Sequence, residues 1–219
     1  MLRRPQPALR VISGVDAPVD PVRRAPVRAD LELAARVRRG DARASRELCD
    51  RVFPRVEGMV RRLLGHADPD ADDLAQNAMV EIVTSIDGYR GDSPLEAWAS
   101  SITAHCVYQN IRHRKVHRQL FAGAEAGEDF RAASGTMEIA VARDLVGRIR
   151  KHLGAMEEDK AWTFLLHDVC GFDLREIARI TGASVAAAQS RLVRGRREIH
   201  ERIACDPELA DLLDEEDPS

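Results

Sequence analysis

Aromatic residues are scarce in this 219-residue chain, at 4%, and no apolar run approaches the ~18–20 residues that a membrane-spanning helix needs. No signal peptide is visible, so the expectation is a cytoplasmic protein without membrane insertion. The four cysteines, Cys49, Cys106, Cys170 and Cys205, lie far apart and form no CxxC pair. That spacing argues against a disulfide frame or a zinc knuckle and for reduced thiols of the cytosol. His113 and His117 sit four residues apart with Cys106 nearby, but the further ligands of a zinc site are missing. Neither a metal nor any other cofactor is expected. A Ser-His-Asp arrangement and a phosphate-binding glycine loop are also lacking, which disfavours an enzyme. Glycine, proline and β-branched residues are scattered, so an all-β fold is disfavoured as well.

Charge is plentiful, at 32% of residues, and the net charge of −3 hides an uneven distribution. Residues 1–28 carry six arginines against two aspartates, whereas the last fifteen residues carry seven acids and no base. The middle of the chain is therefore close to neutral. The Pro/Arg-rich start (1–28) reads as a disordered extension. The acidic tail (205–219) reads as at most a short helix around Pro207–Leu213, either solubilising or docked on a basic face.

Between these ends the apolar spacing is helical. Asp30 is a candidate N-cap for a helix carrying Leu33, Ala34 and Val37, which stops at Gly40. Asp41 caps the next, with Leu48, Val52, Val56, Met59, Val60 and Leu63 inward and Pro54 positioned to bend or split it. A third helix starts near Asp70–Asp73 and carries Leu74, Ala78 and Ile82. After the loop "DGYRGDSP", Ser93 and Glu96 read as a capping box for a fourth helix holding Leu95, Trp98, Ile102, Val107 and Ile111. That helix ends in the acid-free stretch "HCVYQNIRHRKVHR". Residues 119–137 read as a flexible linker, and helical periodicity resumes at Glu138. The expected fold is all-α: two small helical domains, residues 29–118 and 138–204, joined by that linker.

The second domain carries the punctuation of a helix-turn-helix within a winged-helix-like four-helix unit. Asp173 and Glu176 form a capping box, Gly182 supplies the turn, and Ser184 caps the second helix. Val185, Ala188, Leu192 and Ile199 are expected inward. Four arginines then fall within seven positions, Arg191, Arg194, Arg196 and Arg197. Such a helix presents its N-terminal residues to base edges in a major groove, where small side chains permit close approach. Gln189 suits adenine, arginines suit guanine or phosphate, and Ser184 with the free amides suits phosphate. A solvated basic face is the alternative.

The stretches "DLELAARVRRGDARASRELCDRVFPRVEGMVRRLLG", "DADDLAQNAMVEIV", "YRGDSPLEAWASSI" and "SRLVRGRREI" occur in the order and spacing of bacterial RNA polymerase sigma factors. Over roughly residues 30–204 the chain resembles the small two-domain extracytoplasmic-function (ECF) group of the sigma-70 family. The resemblance implies a non-enzymatic factor that binds core RNA polymerase, at the β′ clamp helices and β flap, and directs promoter-specific initiation. By position it implies polymerase contacts from Asp72, Asp73, Leu74, Gln76 and Asn77. It implies −10 DNA contacts from Tyr89, Arg90, Asp92, Ser93, Tyr108, Asn110, Arg112, Arg114 and Lys115. Contacts to −35 DNA fall to Ser184, Ala187, Gln189, Ser190, Arg191, Arg194, Arg196 and Arg197. Melting needs flat rings for unstacked bases, and Tyr89 with Arg90 in the loop suits this better than Trp98, which shares a stripe with Leu95 and Ile102. The resemblance also implies an anti-sigma partner. The chain departs from the family's common residues at Ala99, His105 and Ala187–Ala188. A stand-alone helix-turn-helix regulator, acting without polymerase, is the competing expectation.

Overall fold

The computed structural model describes residues 28–65, 68–121 and 137–209, and every regular element among them is helical. The first group comprises α1 (Arg28–Arg38), α2 (Ala42–Leu64), α3 (Ala71–Thr84) and α4 (Leu95–Phe121). α2 is central and packs on the other three. Its stripe of Leu48, Val52, Val56, Met59, Val60 and Leu63 is fully buried, each side chain contributing about 1.5–3 kcal/mol. Asp41 caps it as expected, accepting from the amides of Arg43 at 2.9 Å and Ala44 at 3.1 Å. Pro54 does not split it; the helix runs unbroken through that exposed residue.

Two capping expectations need correction. α1 starts at Arg28, so Asp30 lies inside its first turn rather than at its cap. Its buried carboxylate instead reaches across the domain: Oδ2 accepts from the Leu95 amide at 3.1 Å, and Oδ1 pairs with Arg51 at 2.7 Å. Asp30 thus caps α4 from 65 residues away, the place assigned to Ser93. Glu96 turns to Arg51 instead of back to Ser93. A short-range pattern lost to a long-range one because Asp30 brings a full, buried charge to that amide, with Arg51 pairing its other oxygen.

The second group comprises α5 (Met137–Gly154), α6 (Glu158–Phe164), α7 (Leu174–Thr181) and α8 (Val185–Ala204). α6 runs on into a single π-helical turn, Leu165–Val169, in which the Cys170 amide bonds the Leu165 carbonyl at 2.9 Å. α8 packs closely on α6 through Gly195, where an added Cβ would stand 3.0 Å from the Lys160 carbonyl oxygen. Beyond α8, Asp206 bonds His152 at 2.8 Å, Glu208 pairs with Arg148, and Leu209 is buried. The start of the acidic tail therefore folds back on basic α5; residues 210–219 lie outside the described residues, as do 1–27 and 122–136. α4 reaches Phe121 and α5 begins at Met137.

The two groups touch. α4 packs on α7, and one apolar cluster runs from Leu48, Ile82 and Val107 to Tyr108, Trp162, Phe172 and Ile180. A smaller cluster, Leu153, Met156, Ala161 and Ile199, belongs to the second group alone.

Candidate nucleic-acid interface

The helix-turn-helix is built as its punctuation requires. Asp173 accepts from the amides of Arg175 and Glu176, both at 2.8 Å, while Glu176 accepts from the Asp173 amide at 2.8 Å. Gly182 ends α7 with φ of 68°, the left-handed region that a side chain resists. Ser184 then caps α8, its Oγ accepting from the Ala187 amide at 3.1 Å. Ala188, Leu192 and Ile199 are buried as expected, but Val185 is not; at the first helical position it points outward. The exposed face of α8 is Val185, Ala186, Gln189, Ser190, Val193, Arg194 and Arg197, with Ala187 half-buried at its edge. Small and polar side chains occupy its first two turns, so a groove wall can approach closely. Val193, 63% exposed, belongs to this face although the sequence expectation omits it; its helical register with Gln189 and Arg197 is the signal that could have placed it there.

The four arginines of the basic run in α8 do not act alike. Arg191 pairs with Asp159 of α6. Arg196 pairs with Asp168 in the π turn, Nε standing 2.8 Å from Oδ2, and its Nη2 lies 3.2 Å from His167 Nδ1. Burial pushes the Asp168 carboxyl up, but Arg196 and His167 outweigh it and hold the group below the usual carboxylate range. These two arginines therefore fasten α8 to the start of α6 and to the π turn that follows it, which corrects their assignment as direct −35 DNA contacts. Arg197 lies a long 3.9 Å from Glu201. Arg194 meets no carboxylate among the described residues; its Nε donates to the Ser190 carbonyl at 3.3 Å.

On the first domain, the loop Tyr89–Ser93 leaves Arg90 and Asp92 exposed and paired at 3.3 Å. Tyr89 is buried, 2% exposed, its ring 5.3 Å from Trp98 and its hydroxyl donating to the Ser93 carbonyl at 2.8 Å. Burial, with Asp30 nearby, pushes its phenol up to about 12. The expectation that Tyr89 offers an open ring is thus corrected: it is deeper in the core than Trp98. Tyr108, 1% exposed, is closed off by an edge contact with Trp162 at 5.4 Å and by Arg112 over its face at 5.5 Å. Arg112 also donates to the Tyr108 hydroxyl at 3.1 Å, and Arg114 pairs with Asp68 and Asp70. Asn110 Oδ1 is shut from solvent without a hydrogen-bond partner. Lys115 lies on α4, but its side chain is outside the described residues.

A third surface is the outer side of α3, where Asp72, Asp73, Gln76 and Asn77 are exposed beside Val80, 63% exposed. Leu74 is buried in the core, so it holds the helix rather than touching a partner. This row of carboxylates and amides around one apolar residue suits a basic helix. Among the described residues no cluster of His, Cys, Asp or Glu fit for a metal is found, and no helix is long and apolar enough to cross a membrane. Burial pushes the Cys170 thiol up to about 11, which disfavours its thiolate.

Known proteins match both halves of this arrangement. The family "Sigma-70 region 2" matches residues 48–116 and "Sigma-70, region 4" matches residues 147–199, together more than half of the chain. The RNA polymerase sigma factor CnrH of Cupriavidus metallidurans is 28% identical over 190 residues, covering 84% of this chain and 98% of CnrH. The ECF RNA polymerase sigma-E factor of Escherichia coli is 25% identical over 182 residues, covering 80% and 94%. The solved structure of CnrH with the cytosolic domain of CnrY aligns with a TM-score of 0.50 at 25% identity, over 86% of this chain and 99% of CnrH. That of RpoE with the anti-sigma factor NepR from Bartonella quintana gives 0.53 at 23%, over 74% and 97%, a likeness of fold.

Proposed function

The chain belongs to the ECF group of the sigma-70 family, whose members bind core RNA polymerase and direct promoter-specific initiation, and from that premise we propose how its own residues divide the work. α3 docks on the polymerase through Asp72, Asp73, Gln76 and Asn77, with Val80 as the apolar anchor. α8 lies in the major groove of the −35 element. There Gln189, Ser190 and Val193 face base edges, Ala186 and Ala187 allow close approach, and Arg194 and Arg197 hold phosphates. Arg191 and Arg196 act indirectly by fixing α8 on α6. The −10 element is taken by Arg90, Asp92 and Ser93 of the loop and by Asn110, Arg112, Arg114 and Lys115 of α4. Tyr108 serves only once its ring is uncovered.

The chemistry on this reading is binding alone: no side chain makes or breaks a bond, and the factor works in the cytoplasm beside the polymerase. As CnrH is found with the cytosolic domain of CnrY and RpoE with the anti-sigma factor NepR, a protein antagonist is part of the proposal. The observation that carries the reading is the exposed acid–amide row of α3 on a chain that also presents a capped helix-turn-helix. A stand-alone regulator has no use for that row. Asp73→Lys tests it: affinity for core polymerase is expected to fall about tenfold, a loss of about 1.4 kcal/mol, with duplex DNA binding unchanged. Equal polymerase affinity in both proteins removes the assignment.

A further inference from the structure

We propose that α1 is the positioning element of the −10 loop: Arg38 and Leu31, without touching DNA, hold residues 86–93 in the shape that discriminates bases. They thereby help to set which −10 sequence is read. The inference rests on the assignment of this loop to −10 DNA and deepens it.

The loop has little of its own to keep a shape. It follows a single 3-10 turn, Ile86–Gly88, too short to fix what comes after it. Gly91 at its centre takes φ of 76°, a region that glycine enters and leaves with equal ease. Restraint comes from α1. Arg38, the last residue of that helix, turns its guanidinium onto the end of the 3-10 turn. Nη2 donates to the Ile86 carbonyl at 2.9 Å, to the Tyr89 carbonyl, and to the Asp87 carbonyl at a long 3.5 Å, while Nε donates to Ile86 at 3.2 Å. Three carbonyls, 48 to 51 residues away along the chain, thus share one cation. The end of a helical turn favours a cation, and the planar fork of arginine can serve several acceptors at once. The Asp87 carboxylate stands farther off, at 3.8 Å, so the charge serves backbone more than an acid.

Leu31 lies seven residues before Arg38, two turns along the same stripe of α1. It is 39% exposed, yet its Cδ2 stands 2.8 Å from where a Cβ on Gly91 would be. The side chain is a cover over the one loop residue with wide conformational freedom, and Gly91 is buried beneath it. Asp30, next to Leu31, closes the far end by accepting from the Leu95 amide. One helix therefore holds the start, middle and end of the loop, and the side chains of Arg90 and Asp92 project from a fixed backbone, 82% and 78% exposed. A base that meets a preset loop incurs little ordering cost, and a wrong base finds a loop that does not adapt to it. Since specificity is a difference between two affinities, loss of the restraint reduces discrimination more than it reduces binding.

The test uses holoenzyme, assembled from core polymerase and the full-length protein. Nontemplate-strand oligomers are enriched from a randomised pool on the unsubstituted holoenzyme. Anisotropy then gives the affinity for the enriched −10 oligomer and for its single-base variants. Arg38→Ala should lower the ratio between them about tenfold, the scale of ordering a loop on binding, with core polymerase affinity unchanged. Arg38→Lys carries the charge without the fork and should restore only part of the ratio. Leu31→Ala, at an exposed position where truncation spares the fold, should lower the ratio a few-fold. Equal weakening toward every oligomer, with the ratio kept, overturns the positioning role. So does an unchanged ratio in Arg38→Ala, or in Leu31→Ala where Arg38→Ala does not fold. Arg90→Ala, measured in parallel, separates the two levels. If it alters neither affinity nor ratio, the assignment of the loop to −10 DNA fails; if it does and the α1 variants do not, only the role of α1 fails.

Discussion

Replacing Arg194 and, separately, Arg196 by alanine should split two properties that the basic run of α8 combines. The Arg194 guanidinium leaves the exposed face with only the Ser190 carbonyl as a near partner. One neutralised phosphate contributes about 0.9 to the slope of log affinity against log salt, so its share of affinity changes about 3–4-fold between 50 and 200 mM. Arg194→Ala should flatten the slope by about 0.9 and weaken duplex binding at low salt. Arg196 is already neutralised by Asp168 at 2.8 Å, and its removal leaves that carboxylate without its principal cation. After allowance for solvent screening of a pair whose arginine is 41% exposed, the loss is about 1 kcal/mol, or a few degrees of melting temperature, with the slope unchanged. Anisotropy of the full-length protein on a labelled random-sequence duplex, titrated from 50 to 200 mM salt, together with thermal melts, separates the two. Equal flattening by both variants would refute the division of labour on α8, and so would no flattening by Arg194→Ala.

Three further outcomes follow from the packing. Asp30→Ala uncaps α4 and removes one of the two carboxylates that pair with Arg51, which should cost about 2 kcal/mol in urea unfolding; a loss below about 1 contradicts the long-range cap. Gly195→Ala puts a Cβ 3.0 Å from the Lys160 carbonyl oxygen. It should destabilise by about 1–3 kcal/mol despite alanine's better helix propensity, and a more stable variant would refute the close approach. Because the Asp168 pKa is depressed on folding, its contribution is complete above the unfolded carboxylate value, near 4. It disappears as pH falls through the lower folded value. Stability measured against pH should therefore lose part of its acid-side slope in Asp168→Asn, and an unchanged slope contradicts the pairing.

Helix existence was legible because period, cap and glycine turn agree in sequence: Asp41, the Asp173–Glu176 box, Gly182 and Ser184 all act where local chemistry places them. What escaped is non-local. Asp30 reads as a local cap until Leu95 and Arg51 are brought to it. Arg191 and Arg196 read as free cations because Asp159 and Asp168 lie tens of residues away, and the π turn that aims Asp168 has no compositional mark. Tyr89, in a polar loop, gave no sign that Trp98 and Asp30 would enclose it. The residues assigned to α3 and α8 do lie on helices. Which of their residues point out needed the packing: Leu74 turned inward and Val185, Val80 and Val193 outward.

The central claim, that α3 recruits core polymerase and α8 with α4 directs it to promoters, is tested most directly by transcription in vitro. Core polymerase, a promoter library and the full-length protein are combined, with Asp73→Lys as the paired control. The account predicts a defined set of start sites that appears only with the unsubstituted protein and fades with Asp73→Lys. The same transcripts arising without the protein, or undiminished by the charge reversal, would contradict it.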